Sequence, residues 1–358
     1  MSQKNLNKLR KKIDGIDSHI IGLLNERADV SCAIGASKKK RGQEIYSPDR
    51  ESQVYESVSK KNKGPLPSAS VRAIYREIMS ACLSLEHPMK IAFLGPELTF
   101  THQAAMKKFG SSVSYISCDT IPDVFREVEK GNADYGVVPI ENSTEGAVNH
   151  TLDMFVDSPL LICSEIYFPI KECLLSRTGN FKNVKVLYSH PNVFGQCRGW
   201  IEKNLPMAKL REVASTTKAA ELASKNPGSA CIASEVAAKK YELKVAARGI
   251  EDLATNVTRF LVVGKHASRP SSKDKTSVVF SVKDKPGILH DMLASFKRRG
   301  INLTKIESRP SKKGLWKYYF FVDMDGHEVS PKIARTLGDL EKKCQFFKVL
   351  GSYPGERK

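Results

Sequence analysis

The chain has 358 residues, of which 41% are apolar and 27% charged, and this balance excludes both an intrinsically disordered chain and a fibrous one. Its length is sufficient for two or three domains that each bury a hydrophobic core. The formal net charge of +18 suits either nucleic acid or small anionic substrates. Apart from positions 38–41 the basic residues are spread through all regions, and aromatic residues do not interleave with them, so the sequence favours small anions.

The sequence also bears on the cellular compartment. The N-terminal segment is charged rather than apolar, and no apolar run approaches the length of a membrane span. We therefore expect a cytoplasmic protein that does not bind membranes. The eight cysteines show no Cys-x-x-Cys spacing, which predicts free thiols, no disulfide and no metal site.

Residues 1–87 have the periodicity of helices. Apolar side chains recur at alternating steps of three and four from Leu6 to Ile34, the pattern of a long helix that packs against other helices. Arg27 lies within this apolar seam, and Lys38, eleven residues later, falls within about 20° of the same face. A buried arginine needs an anion, either a ligand or a carboxylate of the protein itself. A helix this long in a three-helix region also predicts association with a second copy.

These helices resemble the all-helical chorismate mutases of the AroQ type. The resemblance implies that Arg27, together with Arg10 from a second copy, binds the substrate carboxylates, with assistance from Arg50. It also implies that Lys38 and Glu86 act on the ether oxygen of chorismate, where negative charge grows as the bond breaks. The remaining residues that the resemblance assigns to the substrate are Ser47, Glu51 and Cys82.

Two of these positions depart from the usual AroQ pattern. Cys82 stands where a serine often sits, and Glu86 stands where a glutamine often sits. Because only a protonated Glu86 can donate a hydrogen bond to the ether oxygen, we hypothesise that mutase turnover falls as the pH rises.

Residues 90–265 alternate strands and helices, which indicates an α/β fold. The apolar run 135–140 ends in the polar turn 141–146, an arrangement that delivers side chains to a crevice at the end of a buried strand. Each such transition could be an ordinary turn, but several that meet between two α/β lobes would form a site for a small anion. The other transitions lie at 186–191, 213–217, 230–234 and 256–260.

Segments 95–102, 138–142, 189–197 and 258–260 resemble prephenate dehydratase, whose fold has two lobes like those of periplasmic binding proteins. The resemblance implies that Thr258 assists the departure of the ring hydroxyl when prephenate loses water and carbon dioxide. Arg259 could be a carboxylate anchor or a structural ion pair, and Glu141 could touch substrate or only support its turn. Leu98 and Thr101 replace the usual glycine and serine. The residues implied to bind prephenate are Thr101, Asn142, Ser143, Thr144, Ser189, His190, Gln196, Ser215, Thr216, Arg259 and Phe260.

Residues 266–275 have the composition of a linker, and the pattern beyond them predicts the β-α-β-β-α-β order of a ferredoxin-like fold, with its third strand at 316–322. Segments 287–290 and 307–310 resemble the phenylalanine-sensing pair of an ACT regulatory domain, with His290 an unusual member. The resemblance implies that two such domains pack side by side and bind L-phenylalanine, although a structural dimerisation module is the alternative. The implied effector residues are Gly287, Ile288, Leu289, Asn302, Leu303, Glu307, Ser308 and Arg309.

We therefore expect three domains: an all-α AroQ domain at 1–87, a two-lobed α/β domain at 90–265 and an α+β ACT domain at 275–358. The expected enzyme rearranges chorismate to prephenate and converts prephenate to phenylpyruvate in phenylalanine biosynthesis, with feedback inhibition by L-phenylalanine. It needs no metal or organic cofactor and no nucleic acid, and it forms a homodimer or a higher homo-oligomer. The alternatives are a dehydratase with an inactive or purely regulatory helical domain, and a non-catalytic amino-acid sensor.

Overall fold

The computed structural model describes residues 3–42, 44–253, 255–311 and 318–356. The chain divides into two compact units, one comprising Met1–Met89 with Phe109–Ser114 and the other comprising Lys90–Lys108 with Tyr115–Lys358. Within the described ranges, every helix is too short or too polar to cross a bilayer.

The first unit is helical, as the periodicity predicts. Its elements are α1 (Gln3–Lys40), α2 (Pro48–Lys61) and α3 (Ser68–Glu86). Both α1 and α2 pack against α3. Because α1 has 38 residues and α3 only 19, α3 covers only part of α1. Part of the apolar seam of α1 therefore stays open, and Ile13 and Leu23 are 57% and 63% exposed.

The α/β region contains alternating strands and helices. They are β1 (Lys90–Leu94), α4 (Phe100–Phe109), β2 (Ser114–Cys118), α5 (Ile121–Lys130), β3 (Tyr135–Asn142), β4 (Gly146–Ala147), α6 (Asn149–Asp157), β5 (Leu161–Pro169), β6 (Cys173–Ser176), β7 (Val186–Ser189), α7 (Pro191–Gln196), α8 (Arg198–Asn204), β8 (Lys209–Glu212), α9 (Thr216–Lys225), β9 (Ser229–Ala233), α10 (Glu235–Lys240), β10 (Lys244–Arg248) and β11 (Val257–Gly264).

Two sheets form the two lobes that the resemblance predicts. The first has the order β2-β1-β3-β11-β5, with β4 paired to β3, and the second has the order β10-β6-β9-β7-β8. The chain crosses to the second lobe between β5 and β6 and returns between β10 and β11. Strand β11 runs antiparallel to both β3 and β5, so the end of β3 lies beside the beginning of β11.

The C-terminal region has the predicted ferredoxin-like order. Its elements are β12 (Asp274–Ser281), α11 (Ile288–Arg298), β13 (Leu303–Pro310), β14 (Tyr318–Asp325), α12 (Pro331–Glu341) and β15 (Phe346–Pro354). The sheet is antiparallel with the order β13-β14-β12-β15. The third strand was predicted to begin at Trp316, which lies outside the described residues.

This C-terminal sheet packs directly on the first lobe. Val279, Phe321 and Leu350 belong to the same hydrophobic cluster as Ile140 and other residues of that lobe. At Gly351, β15 approaches β5 so closely that a Cβ atom would collide with the backbone of Ile162. The first lobe and the sheet therefore share one core.

Glu172, between β5 and β6, is enclosed in the second lobe. It is 0% exposed, and neither carboxylate oxygen has a hydrogen-bond partner in the part of the chain that is described. Burial, and to a lesser extent the charge of Glu251, raises the pKa of Glu172 from 4.5 to about 8. Its carboxyl is therefore protonated near neutral pH.

We expect Glu172 to make stability depend on pH. The folded state keeps a proton that the unfolded chain releases, so stability falls as the pH rises from 4.5 towards about 8. The slope approaches about 1.4 kcal/mol per pH unit, the value for one proton. Glu172→Gln should remove this part of the pH dependence, which calorimetric melting temperatures at pH 6 and pH 8 will measure. Glu202→Gln, which changes an exposed glutamate, is the matched control. Equal pH dependence in wild type and Glu172→Gln would contradict this account.

Candidate active sites

Successive turns of α1 present polar side chains to α3. Arg27 Nη1 donates to Cys82 Sγ at 2.9 Å, and Ser31 Oγ donates to Glu86 Oε1 at 2.6 Å. Gly35 makes room for this carboxylate, because a Cβ atom there would lie 2.8 Å from Glu86 Oε2. The structure thus brings together three residues predicted from sequence. Ser31 was missed, although it follows Arg27 by four residues and so shares its helix face.

These facing side chains of α1 and α3 define what we call the helical groove. It continues to the beginning of α2. Lys38 Nζ donates to the carbonyl oxygen of Ile45 at 2.7 Å and lies 3.3 Å from Ser47 Oγ. Glu51 is buried and accepts a hydrogen bond from Tyr46 at 2.7 Å. One face of the helical unit therefore offers two cations and two carboxyl groups to a compact ligand.

Arg10 does not reach this groove in one copy of the chain, and Arg50 is bonded to a neighbour on its own helix. Arg10 is exposed and lies seventeen residues before Arg27, about 25 Å along the helix. Arg50 is exposed and donates to Gln53 Oε1 at 3.2 Å. A contact between Arg10 and the groove would therefore require a second copy.

The second candidate site lies where β3 ends beside β11. Asn142 pairs with Thr258 in the strand register, and its Nδ2 donates to Thr258 Oγ1 at 2.8 Å. The backbone N–H groups of Thr144 and Glu145 donate to Asn142 Oδ1 at 2.9 Å and 3.0 Å, so the amide group must direct its nitrogen at Thr258. Because the threonine oxygen accepts this bond, its own O–H can donate to a ligand.

Asn256 extends this pair across the two lobes. It accepts from Asn142 Nδ2 at 2.8 Å, and its own Nδ2 donates to Gln196 Oε1 of the second lobe at 3.0 Å. No role for Asn256 was predicted from the sequence. It precedes Thr258 by two residues, and the period of two along an extended chain was the signal for a shared face.

Other predicted residues hold the polypeptide in place. Ser143 Oγ donates to the carbonyl oxygen of Thr255 at 3.1 Å and accepts from the N–H of Val257 at 3.0 Å. Ser189 is completely buried and donates to the carbonyl oxygen of Ile232 at 2.9 Å. Both hydroxyls bond to the backbone, and the substrate contacts expected for the exposed Ser143 and the buried Ser189 stay predictions.

The remaining predicted dehydratase residues lie at helix starts or in the interior. His190 caps α7 by accepting from the N–H of Asn192, and burial lowers the pKa of its ring. Ser215 caps α9, and Thr216 is the first residue of that helix. Phe260 is 2% exposed and serves the core, which corrects its predicted substrate contact. Thr101 is also buried, near the beginning of α4.

Arg259 is a structural ion pair rather than a carboxylate anchor. Its side chain is 6% exposed, its Nε donates to Glu165 Oε2 at 2.8 Å, and its Nη1 donates to Asp323 Oδ2 at 2.6 Å. Its Nη2 donates to the hydroxyl of Tyr353 at 3.0 Å. The structure thus decides between the two alternatives that the sequence left open.

The loop before α4 makes a further contact between the two lobes. Leu98 has a φ of 68°, the left-handed region that favours glycine, and its N–H donates to His102 Nδ1 at 3.0 Å. The carbonyl oxygen of Glu97 accepts from Thr217 Oγ1 of the second lobe at 3.0 Å. This conformation explains why glycine is the usual residue at position 98, where this chain has leucine.

The predicted effector residues form two groups. Gly287, Ile288 and Leu289 lie at the beginning of α11, whereas Asn302 and Leu303 follow its end. The eleven residues of α11 separate the groups by about 16 Å. Glu307, Ser308 and Arg309 belong to the second group, because they lie with Leu303 along β13, which is an edge strand. One copy therefore does not bring the two groups together.

Comparisons with known proteins match three family models to successive parts of the chain. The family model for chorismate mutase type II matches residues 9–87, that for prephenate dehydratase matches residues 91–268, and that for the ACT domain matches residues 276–342. The solved structure of prephenate dehydratase from Arthrobacter aurescens in complex with L-Phe is 35% identical, with a TM-score of 0.69, and the match covers 74% of this chain and 90% of that one. The fold and the sites thus define a prephenate dehydratase with an added mutase domain and an ACT domain.

Two relatives identify the family more closely. The bifunctional chorismate mutase/prephenate dehydratase of Aquifex aeolicus is 51% identical over 353 residues, which is 98% of both chains. The enzyme of the same name from Pseudomonas aeruginosa is 42% identical over 358 residues, again 98% of both. The chain belongs to the family of bifunctional chorismate mutase/prephenate dehydratases.

We expect Asn256 to position the dehydratase pair. Asn256→Ala leaves Asn142 without one acceptor and Gln196 without its donor, so dehydratase kcat should fall about tenfold or more through lost alignment. Mutase kcat should not change. Steady-state assays of both reactions test this, with Asn226→Ala as the matched control, because the side-chain amide of Asn226 donates to the carbonyl oxygen of Leu222 in its own helix. Wild-type dehydratase kcat in Asn256→Ala would exclude the role.

Proposed function

We propose that the two reactions occur at the two sites described above and that L-phenylalanine inhibits the second. The helical groove rearranges chorismate to prephenate, and the cleft between the lobes converts prephenate to phenylpyruvate. The observation that carries the proposal is the Asn142–Thr258 hydrogen bond, which leaves the Thr258 O–H able to donate next to the Asn256–Gln196 bond that joins the two lobes. The cytoplasmic location remains a prediction from the sequence.

In the helical groove the chemistry needs no covalent catalyst. The rearrangement is pericyclic, so the protein must hold a dianion in a compact shape and stabilise charge on the ether oxygen. We assign the carboxylates of chorismate to Arg27 and to Arg10 of a second copy, and the ether oxygen to Lys38 and Glu86. Glu51 accepts from the ring hydroxyl. The open seam of α1 supports a homodimer, because about half of the surface of each apolar side chain there is exposed and a second copy could bury it.

In the cleft the driving force is aromatisation of the ring. Carbon dioxide leaves, the electrons of its C–C bond move into the ring, and the ring hydroxyl departs as hydroxide, which takes a proton from solvent to become water. A threonine is a weak acid, so we assign Thr258 as an oriented hydrogen-bond donor to the leaving oxygen rather than as the proton source. Asn142, Thr144 and Gln196 would hold the carboxylates and the keto group.

Inhibition by L-phenylalanine is assigned to the ACT domain. The related dehydratase from Arthrobacter aurescens was solved in complex with L-Phe. In this chain the two groups of predicted effector residues are separated by α11, and β13 is an edge strand that can pair with another copy. Both facts favour an effector site built from two copies. Incubation of the pure protein with chorismate, with and without L-phenylalanine, tests the whole proposal by the appearance of phenylpyruvate.

Thr258→Ala should separate the two activities. Loss of one oriented donor should lower dehydratase kcat by about 10²-fold or more, whereas mutase kcat should not change. Thr258→Ser restores the hydroxyl and should recover most of the rate. Lys38→Ala is the reciprocal variant, which should lose mutase activity only, and Lys39→Ala is its exposed control. Full dehydratase activity in Thr258→Ala would refute the assignment.

Glu86→Gln should change the pH profile of the mutase. Wild-type kcat should fall as the pH rises, because the ionised carboxylate cannot donate to the ether oxygen. Glutamine donates at every pH, so the profile of the variant should be flat. Chorismate consumption measured between pH 5 and pH 9 tests this, and a variant profile identical to that of wild type would contradict the role.

A further inference from the structure

Two neighbouring strands alternate between the cleft and the ACT sheet. In the register of β3 and β11, Asn142 pairs with Thr258, and Glu141 pairs with Arg259. The first pair forms the hydrogen bond beside the cleft. Because successive side chains of a strand point to opposite faces, the second pair faces away from the cleft. Each cleft residue is thus bonded covalently to a residue that contacts the ACT sheet.

The contact made by Arg259 is buried and specific. It joins Glu165 of β5 to Asp323 of β14, and Ser277 Oγ of β12 donates to the other oxygen of Asp323 at 2.6 Å. The hydroxyls of Ser277 and Tyr353 are 2.7 Å apart. A buried guanidinium cannot leave its carboxylates without a large cost, so movement of these ACT strands must be transmitted to β11 or break the pair.

The contact made by Glu141 leads to the edge of the ACT sheet. Its Oε2 accepts from Lys305 Nζ of β13 at 2.8 Å, and the lysine side chain is only 10% exposed. Four residues further along the same strand, Arg309 donates to Asp153 of α6 at 3.0 Å. Strand β13 also carries the predicted effector residues Leu303, Glu307 and Ser308. The strand that would sense the effector is therefore tied to the turn that ends at the cleft.

We propose that Glu141 and Arg259 are positioning residues that act through Asn142 and Thr258, and that the Lys305–Glu141 and Arg259–Asp323 ion pairs transmit the state of the ACT domain to the dehydratase site. This inference rests on the proposed function, because it takes Thr258 as the donor and L-phenylalanine as the effector. It also answers the question that the sequence left open for Glu141, which supports its turn through a lysine of another domain.

Lys305→Met is the test variant, because it removes the ion pair to β13 and leaves Glu141 40% exposed to water and still 4.0 Å from Arg259 Nη1. Lys305→Arg keeps the charge and should behave like wild type. The matched control is Lys348→Met, since Lys348 also joins the ACT sheet to the first lobe but bonds to the carbonyl oxygens of Phe155 and Ser158 rather than to β3 or β11. Melting temperatures establish that each variant is folded.

Three quantities are measured for each variant: dehydratase kcat and KM, mutase kcat, and the response to L-phenylalanine, with its binding followed separately by calorimetry. For Lys305→Met we expect a fall in dehydratase kcat of about tenfold, with KM nearly constant, through loss of alignment. L-phenylalanine should still bind, but its effect on kcat/KM should shrink from the 5- to 150-fold range usual for allosteric coupling to less than about threefold. Mutase kcat should not change.

Several results would overturn the proposal. One is full inhibition of Lys305→Met by bound L-phenylalanine together with wild-type kcat. Another is equal loss in Lys348→Met, which would mean that any loosening of the junction has the same effect. Absence of inhibition in wild type would instead refute the proposed effector, and the comparison of dehydratase kcat between Lys305→Met and Lys348→Met would still decide whether Glu141 is a positioning residue.

Discussion

The burial of the Arg259 guanidinium is the constraint on which the second unit depends. A cation in the interior is tolerated only where anions surround it, and removal of one partner typically costs about 3 to 5 kcal/mol. The two carboxylates that accept hydrogen bonds from Arg259 come from different domains, Glu165 from the first lobe and Asp323 from the C-terminal sheet, and Glu141 of the first lobe lies 4.0 Å away. Because the hydrogen bonds of the buried charge are divided between the two domains, the charge favours their docked arrangement.

The geometry of an extended strand then determines how chemistry and docking coexist. A period of two sends Thr258 to one face of the sheet and Arg259 to the other, so that one strand serves both a cleft and a domain junction. The neighbouring strand repeats this division with Asn142 and Glu141. A site built on paired strands is well ordered, but a displacement of the C-terminal sheet that packs on those strands also displaces the site.

The architecture could largely be predicted from the sequence, because helical periodicity, strand-to-turn transitions and the β-α-β-β-α-β order are local patterns, and the structure has all three. The roles of individual polar residues could not. Hydroxyl-rich turns suit both ligand sites and contacts with the backbone, and the hydroxyls of Ser143 and Ser189 donate to backbone carbonyls in the structure. The partners of Arg259 lie 64 and 94 residues away, so no local pattern could identify them. The place of Asn256 beside Thr258, by contrast, could have been predicted, because residues two apart in an extended segment share a face.

The separation of the predicted effector residues by α11 has a consequence for regulation. If the two groups meet only across two copies, an isolated chain holds two half-sites and no complete one. A ligand that binds between subunits also stabilises their association by mass action. The effector would then strengthen subunit association as well as inhibit the enzyme. Its apparent potency as an inhibitor would rise with the concentration of the enzyme itself. Dilution would thus relieve inhibition without any change in the amount of phenylalanine.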